Sequence, residues 1–244
     1  MKLNGRSIQT IKGALALFDY RLSGVLGSGA FGTCYLVSRK EEKFVLKVFN
    51  KNDVKRRKAK LAREGRFLAA LNHPAIPRMI QRLDRDGIYG LIMEKMPGNS
   101  LAELISWDYD FSEQEILSIT KQLIEIMAYL DTYKISHRDL RAENILWHGG
   151  KLSLIDFGSA RNCSNLNRRF DPDFWGIGDV FMRLIVVSSE INATGEKHTI
   201  EDFAFDDCQK NVVKRLLHVR EPYVSIKDLE RDFEEAFGRK SCRV

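Results

Sequence analysis

The sequence predicts an α+β fold in which short strands come first and helices follow. Two patterns carry that reading. From Tyr20 to Phe49, aromatic and β-branched stretches alternate with glycine-rich or charged turns, which is how hairpins read. From Ser112 onward, Ile116, Ile119, Leu123, Ile126 and Leu130 recur at helical intervals. The composition, 44% hydrophobic and 30% charged over 244 residues, is that of a globular chain long enough to bury a substantial core.

In chain order, the first strand covers residues 22–26, a glycine turn 27–32, a second strand 33–38, a charged turn 39–43 and a third strand 44–49. Gly27, Gly29 and Gly32 permit close backbone approach, so amides can face phosphate oxygens without side-chain obstruction. The spacing alone is weak evidence, because at about 7% glycine it arises by chance in roughly one such chain in twelve. A dinucleotide fold would start a helix inside this loop. Here Thr33-Cys34-Tyr35-Leu36-Val37 continues as a strand.

Lys47 lies on the third strand, in Val45-Leu46-Lys47-Val48-Phe49, between neighbours of buried type. A helix marked by Leu61, Leu68 and Leu71 carries Glu64 and stops at Asn72-His73-Pro74. Leu91-Ile92-Met93-Glu94-Lys95-Met96 reads as a buried strand running into a turn. Ser112-Glu113-Gln114-Glu115 has the spacing of a capping box and opens a long buried helix. His137-Arg138-Asp139-Leu140-Arg141-Ala142-Glu143-Asn144 is the most specific segment, and Asp156-Phe157-Gly158 follows a strand-like run.

The order of these groups resembles the signature of the eukaryotic-type (Hanks-type) protein kinases, over nearly all of 22–237 and most strongly through Asp179. The resemblance implies a two-lobed fold: a small β-rich N-lobe over 1–95 and a mainly helical C-lobe over 96–244. It also implies ATP with Mg2+, or Mn2+ in its place, as cofactors. The glycine loop Leu26, Gly27, Ser28, Gly29, Ala30, Phe31 and Gly32 would cover the phosphates, with Cys34, Val45 and Leu146 as further apolar walls. Lys47, paired with Glu64, would contact the α and β phosphates. Met93 would be the gatekeeper, while the backbone of Glu94 and Met96 would meet the adenine edge. Asp139 would accept the proton of the attacking hydroxyl, Arg141 would stand at the transferring phosphate, and Asn144 and Asp156 would hold the metal.

The chain also departs from the family pattern. Arg141 and Ala142 stand where lysine and proline are usual. Asp173-Phe174-Trp175-Gly176-Ile177-Gly178 resembles the central helix whose leading aspartate holds the catalytic loop, which leaves a shortened activation segment over 159–172. The A-P-E motif is missing, and Pro222-Tyr223-Val224-Ser225 lacks its arginine partner. Losing one member of a buried ion pair costs about 3–5 kcal/mol, whereas losing both can be nearly neutral. The paired absence therefore argues for a compact architecture. Ser159 and Ser164, with Arg161, Arg168 and Arg169, are candidates for phosphorylation and for binding the phosphate.

Net charge is +6, with a local excess at Lys51, Lys55, Arg56, Arg57, Lys58 and Lys60. No interleaved aromatics accompany that run, so it reads as a solvated helix face and not as a nucleic-acid surface. Cys34, Cys163, Cys208 and Cys242 are too scattered for a zinc site, and reduced thiols in the cytoplasm are expected. The longest apolar run, 181–187, is interrupted by Arg183, and 13–18 is too short for a signal-peptide core, so no membrane anchor is expected. The function expected is transfer of the ATP γ-phosphate to a serine or threonine hydroxyl on protein. The alternatives are a phosphotransferase acting on a small molecule and a nucleotide-binding regulatory pseudokinase.

Overall fold

The structure, a computed structural model, describes residues 5–29, 32–49, 54–163, 171–189 and 199–238. The chain divides into two compact units, Met1–Met96 and Pro97–Val244. The α+β expectation holds, with strands concentrated in the first unit and helices in the second.

The first unit is built on a five-stranded antiparallel sheet of order β1-β2-β3-β5-β4. Its strands are β1 (Arg21–Gly29), β2 (Gly32–Arg39), β3 (Glu42–Phe49), β4 (Met79–Arg85) and β5 (Ile88–Glu94). Helix α2 (Val54–Ala70) packs on β4 and β5. The expected turn at 27–32 is mostly strand. Gly27, Ser28 and Gly29 stay paired with Cys34, Thr33 and Gly32, after register shifts between Leu22 and Gly24 and between Val25 and Gly27. Cross-strand pairing outweighs the weak strand propensity of glycine here. At Gly32 a side chain is excluded, because a Cβ would lie 2.2 Å from the Val48 carbonyl oxygen.

An N-terminal helix, α1 (Gly5–Ala16), precedes the sheet. Its Ile11, Ala14 and Leu15 are almost fully buried in a cluster with Tyr20, Tyr35, Val37, Phe44 and Ile92. The stretch 13–18, too short to act as a signal core, therefore serves in part as a helix face that covers the sheet. Tyr20 meets Phe44 edge to face at 5.5 Å, and the Arg39 guanidinium lies 4.8 Å from the Tyr20 ring.

In the second unit, β6 (Asn99–Ser100), β8 (Ile145–His148) and β9 (Lys151–Leu154) form a three-stranded sheet, and β7 (Ile135–Ser136) pairs with β10 (Arg161–Asn162). Short α3 (Leu101–Ser106) follows β6. Helix α4 (Glu113–Thr132) is the central pillar, and its capping box forms as expected. The Ser112 hydroxyl accepts from the Glu115 amide, and the Glu115 carboxylate accepts from the Ser112 amide. The buried side of α4 packs on α5 (Pro172–Val187) and α7 (Ile226–Phe237), with α6 (Asp207–Leu216) between α5 and α7 in sequence. Among the described residues no helix is long and apolar enough to cross a membrane.

Leu15 is fully buried between α1 and the sheet. Leu15→Ala is expected to lower the unfolding free energy of the chain by about 2–5 kcal/mol. Denaturant titration of the two proteins reads the difference directly. A change under about 1 kcal/mol would mean that α1 does not contribute to the first unit's core.

Candidate active site

In the first unit, Lys47 on β3 and Glu64 on α2 form an ion pair, Nζ to Oε1 at 2.8 Å, with side-chain exposures of 5% and 2%. Such a pair persists because each charge would be costly to bury alone. Lys47 Nζ also lies 5.4 Å from the centre of the Phe49 ring. On β2, Cys34 stands opposite Gly27 on one side and Lys47 on the other. Ser28 and Thr33 share a hydroxyl hydrogen bond of 3.0 Å across the glycine hairpin. Leu26 is half exposed on β1. Ala30, Phe31, Lys51, Lys55, Arg56, Arg57, Lys58, Lys60, Ser164, Arg168, Arg169 and Cys242 lie outside the residues whose side chains are described.

Val45 on β3 is paired with Met93 on β5, and Met93 is buried. The Glu94 amide donates to the Arg78 carbonyl at 2.9 Å, and Met96 is buried where the first unit ends. His73, in the stop signal after α2, serves a structural role. Its Nδ1 accepts from the Ala75 amide at 3.2 Å, tightening the turn after α2.

In the second unit, the segment from His137 to Asn144 is held from below by one buried carboxylate. Asp173, in the first turn of α5, accepts from the Ser136 hydroxyl at 2.8 Å, the His137 amide at 2.7 Å and the Arg138 amide at 2.5 Å. Burial pushes its carboxyl upward, while these donors and the Arg138 charge pull the other way. Arg138 has φ of 66°, a left-handed backbone that non-glycine residues seldom adopt. Gly176 completes the approach, since a Cβ there would come within 2.6 Å of the Leu140 Cβ and 2.9 Å of its carbonyl oxygen.

Above this anchor, Asn144 Nδ2 donates to the Asp139 backbone carbonyl at 2.9 Å and to Asp139 Oδ2 at 3.0 Å. The Asn144 carbonyl accepts from the Ile155 amide at 2.9 Å, and His137 Nε2 donates to the Ile155 carbonyl at 3.2 Å. The His137 ring also meets Phe157 edge to face at 4.8 Å. Asp139 and Asn144 are thus bonded directly, and Asp156 follows Ile155, whose backbone Asn144 and His137 hold. Asp156 has φ 65° and ψ 78°, and its Oδ1 accepts from the Gly158 amide at 3.0 Å. An aspartate tolerates this left-handed conformation better than most residues, because its short side chain bonds the local backbone. Leu146 is half buried on β8.

Arg141 is engaged in a way the sequence did not signal. Its guanidinium forms a two-point fork with Glu143, Nε to Oε2 at 2.7 Å and a terminal nitrogen to Oε1 at 2.8 Å. Hydrogen bonding from Arg141 holds the Glu143 carboxyl at about 2, well below its ordinary 4.5. Two further residues gain roles only here. Ser136 and Glu143 have no distinctive spacing of their own; the one usable hint was the i, i+2 pair of opposite charges at Arg141 and Glu143, where extended Arg141 leads into a 3-10 turn over Ala142–Asn144.

The arrangement can hold a buried amine in one unit, and in the other a carboxylate steadied by an amide beside two oxygen-bearing side chains. A family model described as the protein kinase domain matches residues 20–177. The chain is 27% identical over 234 residues to a probable serine/threonine-protein kinase, YbdM, of Bacillus subtilis, covering 92% of this chain and 91% of that one. It is 33% identical over 157 residues to Aurora kinase B-A of Xenopus laevis, covering 62% of this chain and 43% of the relative. Against serine/threonine-protein kinase 10-A of Xenopus laevis it is 31% identical over 174 residues, 67% of this chain and 18% of the relative.

The fork predicts a measurable titration. In the intact chain the Glu143 carboxyl should titrate near 2, and in Arg141→Ala it should return toward 4.5, as read by carbon-detected NMR. A folded value below the unfolded one contributes stability that is complete above about 4.5 and lost as pH falls toward about 2. Solvent screening at this half-exposed pair keeps that contribution small. An unchanged midpoint in the variant would show that Arg141 does not set it.

Proposed function

The chain belongs to the protein kinase family, and from that membership we propose that it is an ATP-dependent kinase that phosphorylates serine or threonine hydroxyls on protein. Family membership implies use of ATP and a divalent metal in general. Serine/threonine specificity is supported by the names of the relatives, among them one aligned over nearly the whole chain. The observation that carries the reading furthest is the Asp139–Asn144 contact, built on the loop that Asp173 anchors.

In this reading the backbone of the glycine hairpin, from Gly27 to Gly32, lies along the nucleotide phosphates. Lys47, kept in place by Glu64, contacts the α and β phosphates. Val45, Met93, Leu146, Cys34 and Leu26 face the adenosine, and the backbone of Glu94 and Met96 meets the adenine edge. The Asp139 carboxylate accepts the proton of the acceptor hydroxyl as its oxygen forms the new bond to the γ-phosphorus and the bond to ADP breaks. Arg141 adds positive charge near the phosphate, with Glu143 setting its position.

The donor set fits a hard divalent ion, for which Mg2+ is our assignment and Mn2+ the substitute. Asn144 directs both described contacts of its side-chain Nδ2 to Asp139, leaving its side-chain Oδ1 as a ligand beside the Asp156 carboxylate. Among the described residues no cluster of three or more His, Cys, Asp or Glu side chains could hold a metal by itself. Phosphate oxygens and water would complete the shell. When bound, the ion neutralises charge on the phosphate oxygens. We also read residues 159–171 as a compact activation segment, since α5 already begins at Pro172.

Purified chain incubated with γ-labelled ATP, Mg2+ and a mixture of proteins and metabolites should place label on protein serine or threonine. Label found only in a metabolite would replace the acceptor class, and nucleotide binding without transfer under any metal would reduce the chain to a binding module. Asp139→Asn should slow transfer by about 10²–10³ while nucleotide affinity stays near that of the parent, and Asp156→Asn should weaken metal-dependent ATP use. Unaltered turnover in both variants would overturn the assignment of these residues.

A further inference from the structure

The segment that carries Asp139 and Asn144 hangs on Asp173, and one of the three donors to that carboxylate is a side chain. Ser136 ends β7, whose pairing with β10 sets it opposite Arg161 and leaves it 3% exposed. Its hydroxyl donates to Asp173 Oδ2 at 2.8 Å, the same oxygen that accepts from the His137 amide at 2.7 Å, while Oδ1 takes the Arg138 amide. The family resemblance accounts for an aspartate that holds loop backbone; it gives residue 136 no part in that hold.

A carboxylate with 5% exposure keeps its charge only where donors replace water. Behind Asp173 lies a cavity of about 20 Å³, bordered by Ser136, Cys163, Phe174 and two further carboxylates, Asp131 of α4 and Asp171 just before α5. Asp131 lies 3.8 Å from Lys134, and Asp171 accepts from the Asp173 amide at 3.0 Å. Arg138 is the positive group acting on Asp173 itself, and His218 lies in the field of Asp171. With two carboxylates around the same cavity, removing a donor favours the protonated form of Asp173. A protonated oxygen turns from acceptor to donor, so one of the three bonds is lost. Support for the left-handed Arg138, one residue before Asp139, goes with it.

We propose that Ser136 is a positioning residue for phosphoryl transfer: its hydroxyl keeps Asp173 ionised from neutral to mildly acidic pH, and through Asp173 it holds Asp139 in register. The inference rests on the reading of the chain as a protein kinase and adds to it a residue, and an acid limit to turnover, that no motif signals. Because Ser136 acts through the anchor, its removal should change kcat and spare the affinity for ATP.

Ser136→Thr and Ser136→Val test this, because the two new side chains have nearly the same shape, both suit a strand, and only one keeps the hydroxyl. The neighbouring cavity admits the added methyl group. The full chain is assayed with γ-labelled ATP, Mg2+ and a protein mixture as acceptor, from neutral to mildly acidic pH. Ser136→Thr should retain most of the parent kcat. Ser136→Val should lose about 10–100-fold, the scale of one hydrogen bond to a charged group, with KM for ATP within about twofold of the parent. The acid limb of its kcat profile should lie at higher pH than that of the threonine variant. Without nucleotide, the His137 and Arg138 amides should exchange with solvent about tenfold faster in Ser136→Val, while buried amides of α4 keep their protection. Should the valine variant not fold, Ser136→Ala takes its place in both measurements. Equal kcat in the two variants at every pH overturns the inference. So does a loss that is the same at every pH and comes with faster exchange throughout the second unit, since Ser136 would then contribute to stability alone. Either result leaves the kinase reading standing, whereas no transfer by the parent to any protein overturns that reading and this inference together.

Discussion

The Asp173 carboxylate is the constraint on which the second unit depends. It is buried, so its charge needs donors, and the three nearest come from Ser136, His137 and Arg138, which lead into the segment carrying Asp139 and Asn144. The loop needs the carboxylate equally, because a left-handed Arg138 costs on the order of 1–3 kcal/mol and persists only where its surroundings over-determine it. Each side removes the other's penalty. Asp139 and Asn144 sit a few residues along from that anchor, and their mutual contact inherits its rigidity.

The first unit solves a similar problem with a different pair. Lys47 is nearly inaccessible on a central strand, and Glu64 reaches it from α2. Close packing of that helix is helped by Gly65, where even a Cβ would press on Leu91 and Met79 at 3.3 and 3.5 Å. In both units, therefore, a buried polar group is kept in place by an opposite charge or by donors in a dry environment, where reorganisation is small.

The last two helices of the second unit are joined by a buried polar arrangement. The chain has neither the A-P-E glutamate nor the arginine that pairs with it. Tyr223, next to Pro222, is instead fully buried, with its hydroxyl 3.1 Å from Asp232 and the Arg215 guanidinium stacked 3.8 Å from its ring centre. Arg215 and Asp232 close the arrangement at 2.7 Å. Burial pushes the Tyr223 hydroxyl upward, so it remains a neutral donor to Asp232. An ion pair and a buried hydroxyl thus tie α6 to α7.

Local chemistry was legible from the residues alone. The capping box at Ser112, the Lys47 strand, the turn made by His73 and the order of the Asp139, Asn144 and Asp156 motifs all follow from residue type and spacing over a few positions, where backbone geometry is nearly independent of the rest of the chain. Tertiary packing decided what spacing cannot encode. It extended β1 through Gly29 by pairing it with β2, and it turned the short apolar run in α1 into a cover for the sheet. It also brought Asp173 beneath a loop more than thirty residues earlier in sequence. Contacts of that range exist only once the helices between them have packed, because chain-closure entropy must first be offset by buried apolar surface.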